Sequence, residues 1–163
     1  MYDTMIVKEK ELTNTTKRNG VTNMIIEFNE SLMTGNEMID TQHKELIDRI
    51  CQLLSSFEQA NDTEQTLEML DYLMDYTEFH FGAEEQLQEE IHYPDLESHK
   101  QKHEEFKSTI RSLKQALEVE QVSASELVPQ VKEQVADWFI RHIQGFDRSV
   151  AEYKFMTSNP NLL

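Results

Sequence analysis

A single cysteine, Cys51, leaves this 163-residue chain unable to close an internal disulfide, so nothing in it demands an oxidising compartment. Its thiol is expected to fill core space rather than react. Glycine and proline are scarce too, at four and three residues, while Leu, Glu, Gln, Lys and Met are plentiful, which favours helices over strands. Cationic side chains are outnumbered: Lys and Arg total 15 against 31 Asp and Glu, a formal charge of −16. A field of that sign repels phosphate backbones and anionic membranes, and so excludes nucleic acid as an expected partner. Long apolar runs are missing as well. Met5-Ile6-Val7 is too short for a signal-peptide core, and no stretch approaches a membrane span, so cytoplasmic residence is expected.

The length fits one domain that buries about two-thirds of its unfolded surface. Residues 1–27 mix Thr, Asn, Lys and Glu without a sustained period and read as a loosely ordered arm, leaving 28–163 as the folded domain. Phe28 to Met38 reads as a connecting loop with Gly35-Asn36 as its turn signal. A first helix is predicted from about Asp40 to Ala60, with Leu46, Ile47, Ile50, Leu53, Leu54 and Phe57 on a buried stripe. Asn61-Asp62-Thr63 supplies a turn and cap for a second, about Thr63 to Glu90, burying Met69, Leu73, Tyr76 and Leu87. Tyr93-Pro94 ends it. A third, about Asp95 to Val119, carries Leu96, His99, His103, Phe106, Ile110, Leu113 and Leu117 at alternating spacings of three and four. Ser123 or Ser125 could cap a fourth, with Pro129 near its first turn and Val131, Val135, Trp138 and His142 facing inward. The fold class is therefore all-α: an up-down-up-down four-helix bundle with an N-terminal arm.

Seven polar residues interrupt these apolar stripes: His43, His80 with Glu84, His99 with His103, and His142 with Asp147. Residues four apart project from one helix face, so each such pair can reach one site. Singly these signals are weak, because an isolated His-x3-His is usually accidental and a lone His on an apolar stripe is usually a hydrogen-bonded core residue. Together, on the inward faces of four helices, they need partners that aliphatic neighbours cannot supply. Two buried carboxylates in particular call for cations. His142 and Asp147 are five apart, which on a straight α-helix leaves them roughly 140° apart. Their convergence predicts a helix distortion between Trp138 and Val150, eased by the small Gly145.

The ordered set resembles the hemerythrin family, most closely its bacterial members. It comprises Ile39-Asp40-Thr41-Gln42-His43, His80-Phe81-x2-Glu84-Glu85, Tyr93-Pro94, His99-x3-His103 and His142-Ile143-x3-Asp147, across about Phe28 to Tyr153. The resemblance implies two iron ions: one held by His99, His103 and His142, the other by His43 and His80. Glu84 and Asp147 would bridge them, with an oxo or hydroxo group. The two-histidine iron would then be five-coordinate and would bind dioxygen reversibly. Leu46, Phe81, Trp138 and Ile143 are expected to wall the oxygen pocket apolar, discouraging water and protons. Two positions depart from the family pattern. Phe28 stands where relatives often carry tryptophan, and Val150 stands where an aromatic residue is frequent, which could enlarge or dry the pocket.

An oxygen carrier, store or supplier without turnover is the expected function, with dioxygen as partner and an oxygen-consuming enzyme or an electron donor as further candidate partners. A di-iron enzyme acting on peroxide or nitric oxide is the alternative. Carboxylate-rich bundle oxidases use two Glu-x-x-His motifs, whereas here Glu89 and His92 form a lone one, and His92 is expected to be exposed. An oxygen or redox sensor module, responding through the arm, is the third reading. Oligomeric state is not encoded in any of these patterns.

Overall fold

The computed structural model describes residues 15–18, 21–24, 26–59 and 62–162. Most of the arm, residues 1–27, for which loose order is expected, lies outside them, as do Ala60 and Asn61 at the end of the first expected helix. Two strands fall within the arm: β1 (Thr15–Arg18) pairs antiparallel with β2 (Val21–Met24), Arg18 opposite Val21. Asn19-Gly20 stands between them in the sequence, the dipeptide that favours two-residue hairpins.

Helix α1 (Glu37–Glu58) begins three residues before the expected Asp40. The Asn36 side chain caps it, accepting from the backbone N–H groups of Met38 and Ile39. Asp40 lies inside its first turn and has another task. Its carboxylate accepts from Thr34 N at 2.7 Å, Thr34 Oγ1 at 2.8 Å and Gly35 N at 3.1 Å, which fastens the preceding loop to the bundle. Gly35 takes a left-handed φ of 84° there, a conformation that favours glycine.

Helix α2 (Thr63–Glu90) is capped by Asp62, and α3 (Leu96–Glu118) follows the turn at Tyr93-Pro94. His92 closes α2 at φ 55° while Tyr93 N–H reaches back to Gln88 O at 2.8 Å, a Schellman-type end made with histidine in place of glycine. The His92 side chain is exposed, as expected. The fourth rod is one unbroken helical run in five parts: α4 (Ala124–Val131), a π-helical stretch (Lys132–Asp137), α5 (Trp138–His142), a second π stretch (Ile143–Asp147) and α6 (Arg148–Ser158). Ser123 caps it with a reciprocal Glu126 bond. Pro129 sits in the second turn rather than the first.

α1 packs on α2 and α4, and α3 packs on α2 and α4, so the four rods close a ring in up-down-up-down order. The core is one cluster, in which Leu53, Phe57, Leu70, Leu73, Leu113 and Val135 are inaccessible to solvent. The inward face of α2 differs from the expected one. Met69, Tyr76 and Leu87 are only half-buried, and the buried positions are Thr66, Leu70, Leu73, Thr77, His80, Phe81, Glu84 and Gln88. Hydrophobicity misplaces this face because its polar members carry the burial: Thr66 bonds Ser56 of α1 at 2.7 Å, and others face the site. Leu96 of α3 is half-buried too, as is Cys51, which packs against the core edge with its thiol on Ile26 O. No helix among the described residues is long and apolar enough to cross a membrane.

Candidate metal centre

Each rod delivers its share of the seven residues to one point: His43 from α1, His80 and Glu84 from α2, His99 and His103 from α3, His142 and Asp147 from the fourth rod. All seven are buried. On α2 and α3 the i, i+4 spacing alone stacks the paired groups on one face. On the fourth rod the second π stretch does so, since a turn widened to i→i+5 brings residues five apart into line. The distortion thus falls where the spacing places it. Gly145, however, is not needed to relieve crowding: a Cβ there would meet nothing within 4 Å.

The ligating atoms form two groups, one of Glu84, His99, His103, His142 and Asp147, the other of His43, His80, Glu84 and Asp147, the atoms of each lying within 4.8 Å of one another. The carboxylates belong to both groups and divide their oxygens between them. Glu84 Oε1 lies 3.2 Å from His43 Nε2 and 3.4 Å from His80 Nε2, while Oε2 lies 3.3 Å from His103 Nε2. Asp147 Oδ2 lies 3.0 Å from His43 Nε2, while Oδ1 lies 3.1 Å from both His99 Nε2 and His142 Nε2.

The outer ring nitrogens show how the inner ones are charged. His80 Nδ1 faces Gln42 Oε1 at 2.9 Å and His103 Nδ1 faces Glu85 Oε1 at 2.8 Å. Both partners accept, so the proton sits on Nδ1 and the Nε2 lone pair points inward. Yet His103 Nε2 and His99 Nε2 approach His142 Nε2 at 3.2 and 3.0 Å. Three imidazole nitrogens so converged, beside the Asp147 carboxylate oxygens at 3.0 and 3.1 Å, fit cations and little else. The donor set of imidazole and carboxylate suits iron among the transition metals. The cluster is compatible with a di-iron site.

Without cations the electrostatics are strained. Burial opposes charge on His43, but its hydrogen bonds to Asp147 and Glu84 prevail and raise its pKa to about 9. Burial and the neighbouring Asp147 charge push Glu84 up to about 7. Burial drives His80 and His103 down, helped by the other imidazoles. Asp147 stays low although burial opposes its charge, because His142, His43 and His99 surround it.

Aromatic rings enclose the cluster. Phe81 stacks on His103 at 3.7 Å, Trp138 on His142 at 4.6 Å, and Phe139 stands edge-on to His43 at 5.9 Å and His80 at 6.3 Å. Leu46, Phe81 and Ile143 are buried; Trp138, expected on the inward face, is half-buried and flanks the cluster. Phe139 instead takes the inward place. Its signal was present, since it lies three residues before His142 and four after Val135. Gln42 and Glu85 were likewise legible only as neighbours of His43 and Glu84. Replacing Gln42 or Glu85 with alanine is expected to weaken metal binding about 10–100-fold. Competition against a coloured chelator measures this, and an unchanged affinity would show that these bonds do not orient the imidazoles.

A family model described as hemerythrin HHE cation binding domain matches residues 34–152. The chain is 29% identical over 131 residues to a bacteriohemerythrin of Stenotrophomonas maltophilia, covering 78% of this chain and 80% of that one. It is 30% identical over 120 residues to a bacteriohemerythrin of Pseudomonas paraeruginosa, covering 74% and 75%. A myohemerythrin of Theromyzon tessulatum is 27% identical over 121 residues, covering 74% and 87%. Among solved structures, a crystal structure of a leucine-to-phenylalanine mutant superposes with a TM-score of 0.61 at 24% identity, covering 71% of this chain and 85% of that one, which shows the shared fold.

Proposed function

The chain belongs to the hemerythrin family, and from that premise we propose that it holds two iron ions and binds dioxygen reversibly, as a carrier, store or supplier. The observation that carries this reading is the unequal donor count, three histidines in one group and two in the other, with both carboxylates shared. His99, His103 and His142 would hold the better-served ion, His43 and His80 the one left with room for a ligand, and Glu84 and Asp147 would bridge them. A pair of irons held by these residues would supply reversible electron-transfer chemistry toward dioxygen.

The chain's own groups then decide whether release competes with loss. Gln42 fixes the His80 ring, and Glu85 fixes the His103 ring, so the inward lone pairs keep their aim. Phe139 and Phe81 stand beside the two-histidine group without any titratable hydrogen, and with Leu46, Trp138 and Ile143 would keep water and protons away from it. Among the described residues the two-histidine group holds no carboxylate besides Glu84 and Asp147, both of which would be engaged as metal donors. That supports binding without turnover over the enzyme alternative.

Anaerobic iron loading followed by visible spectra, before oxygen, after oxygen and after degassing, tests the reading. A band that appears with oxygen and disappears on degassing is the expected result. Irreversible oxidation in the first exposure would overturn it, and sustained consumption of peroxide or nitric oxide with an electron donor would make the protein an enzyme.

A further inference from the structure

A cavity of about 330 Å³ opens beside the metal cluster, between the Thr34–Asn36 loop, the end of α2 and helix α6. Dioxygen needs nothing of this size: the space equals the liquid volume of about ten waters. The lining changes character from the cluster outward, and the fourth rod sets the order. Asp147, Val150, Ala151, Lys154 and Ser158 recur at spacings of three and four, so they share one helix face. Asp147 stands at the inner end with Glu84 and His99. Val150 and Ala151 follow with Ile39 and Leu87, all apolar. Lys154 lies seven residues beyond Asp147, and Asn36 seven before His43 on α1. Both are therefore about 10 Å from the cluster along their helix axes, at the outer end.

Lys154 is the unusual member. Lys100, Lys102, Lys107, Lys114 and Lys132 each pair with a carboxylate, whereas Lys154 pairs with none among the described residues. It does so although acidic side chains outnumber basic ones by 31 to 15. Lys44 lacks a partner too, but it is exposed to water; Lys154 is half-buried at the cavity. An ammonium drawn partly out of water favours a counter-charge. Across the cavity, Asn36 spends its Oδ1 on the α1 cap, accepting from Met38 N and Ile39 N. That fixes the side-chain amide, and its Nδ2 can only donate. The outer end thus offers a cation and a donor, while the only acids in the lining, Glu84 and Asp147, lie at the inner end. An anionic head is drawn outward and repelled inward.

We propose that this cavity binds a short-chain aliphatic monocarboxylate, its head held at the outer end by Lys154 and Asn36 and its tail directed inward along Ile39, Leu87, Val150 and Ala151. The flexible lysine stem lets the ammonium meet the head. A five-carbon acid has four C–C bonds of about 1.5 Å, so its chain reaches about 6 Å at most. That is the distance along α6 from Lys154 to Val150, four residues apart, and the tail stops short of Asp147. Val150 leaves room for the tail; a larger side chain there would fill it. With the cavity occupied, water is displaced from the Glu84, His99 and Asp147 side of the cluster. The site stands on Lys154, Asn36 and the apolar walls, independent of the dioxygen reading.

Titration calorimetry with the full-length, metal-loaded protein tests it, using pentanoate as probe, acetate as the control without a tail, pentanamide as the neutral control and pentylamine as the cationic one. Saturable one-to-one binding of pentanoate is expected, with each control at least about tenfold weaker. Lys154→Gln should weaken pentanoate about tenfold or more, as for a lost hydrogen bond to a charged group. Val150→Phe should weaken pentanoate about tenfold and leave acetate unchanged. Equal binding of pentylamine would assign recognition to Glu84 and Asp147 and overturn the proposal. So would equal binding of acetate or pentanamide, an unaltered affinity in Lys154→Gln, or no saturable heat with pentanoate. The visible spectrum of the loaded centre should stay as it is; a shift on adding pentanoate would place the carboxylate on the metal and overturn it too. Should Val150→Phe fail to fold, the probe series and Lys154→Gln decide. Failure here leaves the dioxygen reading untouched, since no oxygen is involved, and the reverse holds.

Discussion

Stripping the metal from the folded protein is expected to lower its thermal midpoint by about 10–20 °C. Metal binding coupled to folding is worth on the order of 10 kcal/mol in compact sites, and a domain of this size shifts by about 2–4 °C per kcal/mol. Even half of that coupling gives the stated fall. The metal-free protein is also expected to acquire a pH profile that the loaded one lacks. His43, raised to about 9 from 6.5, adds stability that is fully present below 6.5 and is lost as pH climbs through 9. Glu84, raised to about 7 from 4.5, acts in the same sense, its contribution fading as pH rises through 7. His80 and His103 are lowered, so theirs is present above 6.5 and lost as pH falls below it. A maximum near neutrality follows, with an alkaline limb between about pH 7 and 9. Calorimetric melts of chelated and loaded protein across that window measure both effects. A flat alkaline limb in the chelated protein would mean that His43 is not charged there.

Asp147→Ala is expected to damage both donor groups at once, because Oδ2 serves His43 and Oδ1 serves His99 and His142. The loss in affinity should exceed the about 10–100-fold typical of removing an outer hydrogen-bond partner, and bound iron should fall well below two per chain. The same substitution takes from His43 the hydrogen bond that does most to raise its pKa. The alkaline limb of the metal-free protein should therefore shrink along with the iron content. Elemental analysis after equilibrium dialysis gives the first result and the melts give the second. Two ions retained at unchanged affinity would remove Asp147 from the site.

The bundle was legible because α1 and α3 bury long apolar stripes at helical spacing, and the caps at Asp62 and Ser123 stand at their helix starts. The seven-residue cluster was legible for a related reason: titratable side chains interrupt those stripes, and few other structures tolerate them there. α2 was read less well. Its buried face is half polar, with Thr66, Thr77 and Gln88 doing what aliphatic residues do elsewhere, and no hydrophobicity pattern separates such a face from a solvated one. Asn36 was read as a turn residue although it starts α1, since a residue that favours turns also favours caps. Val150, read as shaping the oxygen pocket, lines a cavity of about 330 Å³ on the Glu84, His99 and Asp147 side of the cluster. Its other walls come from a loop, α2 and α6, which meet through tertiary packing that no local pattern encodes.

Two π-helical stretches change the phase of the fourth rod within one continuous helical run. Relative to a straight α-helix, each displaces everything after it by one residue, about 100° of rotation. A deletion within 132–137 balanced by an insertion within 143–147 would keep the chain length and both ends of the rod in register. The whole segment Trp138–His142 would be turned by about 100°, taking His142 from the three-histidine group and Phe139 from its place beside His43. The count of residues between Val131 and Asp147 is thus as much a part of the site as the side chains it positions, and a comparison that scores identities while allowing compensating gaps would pass over the change.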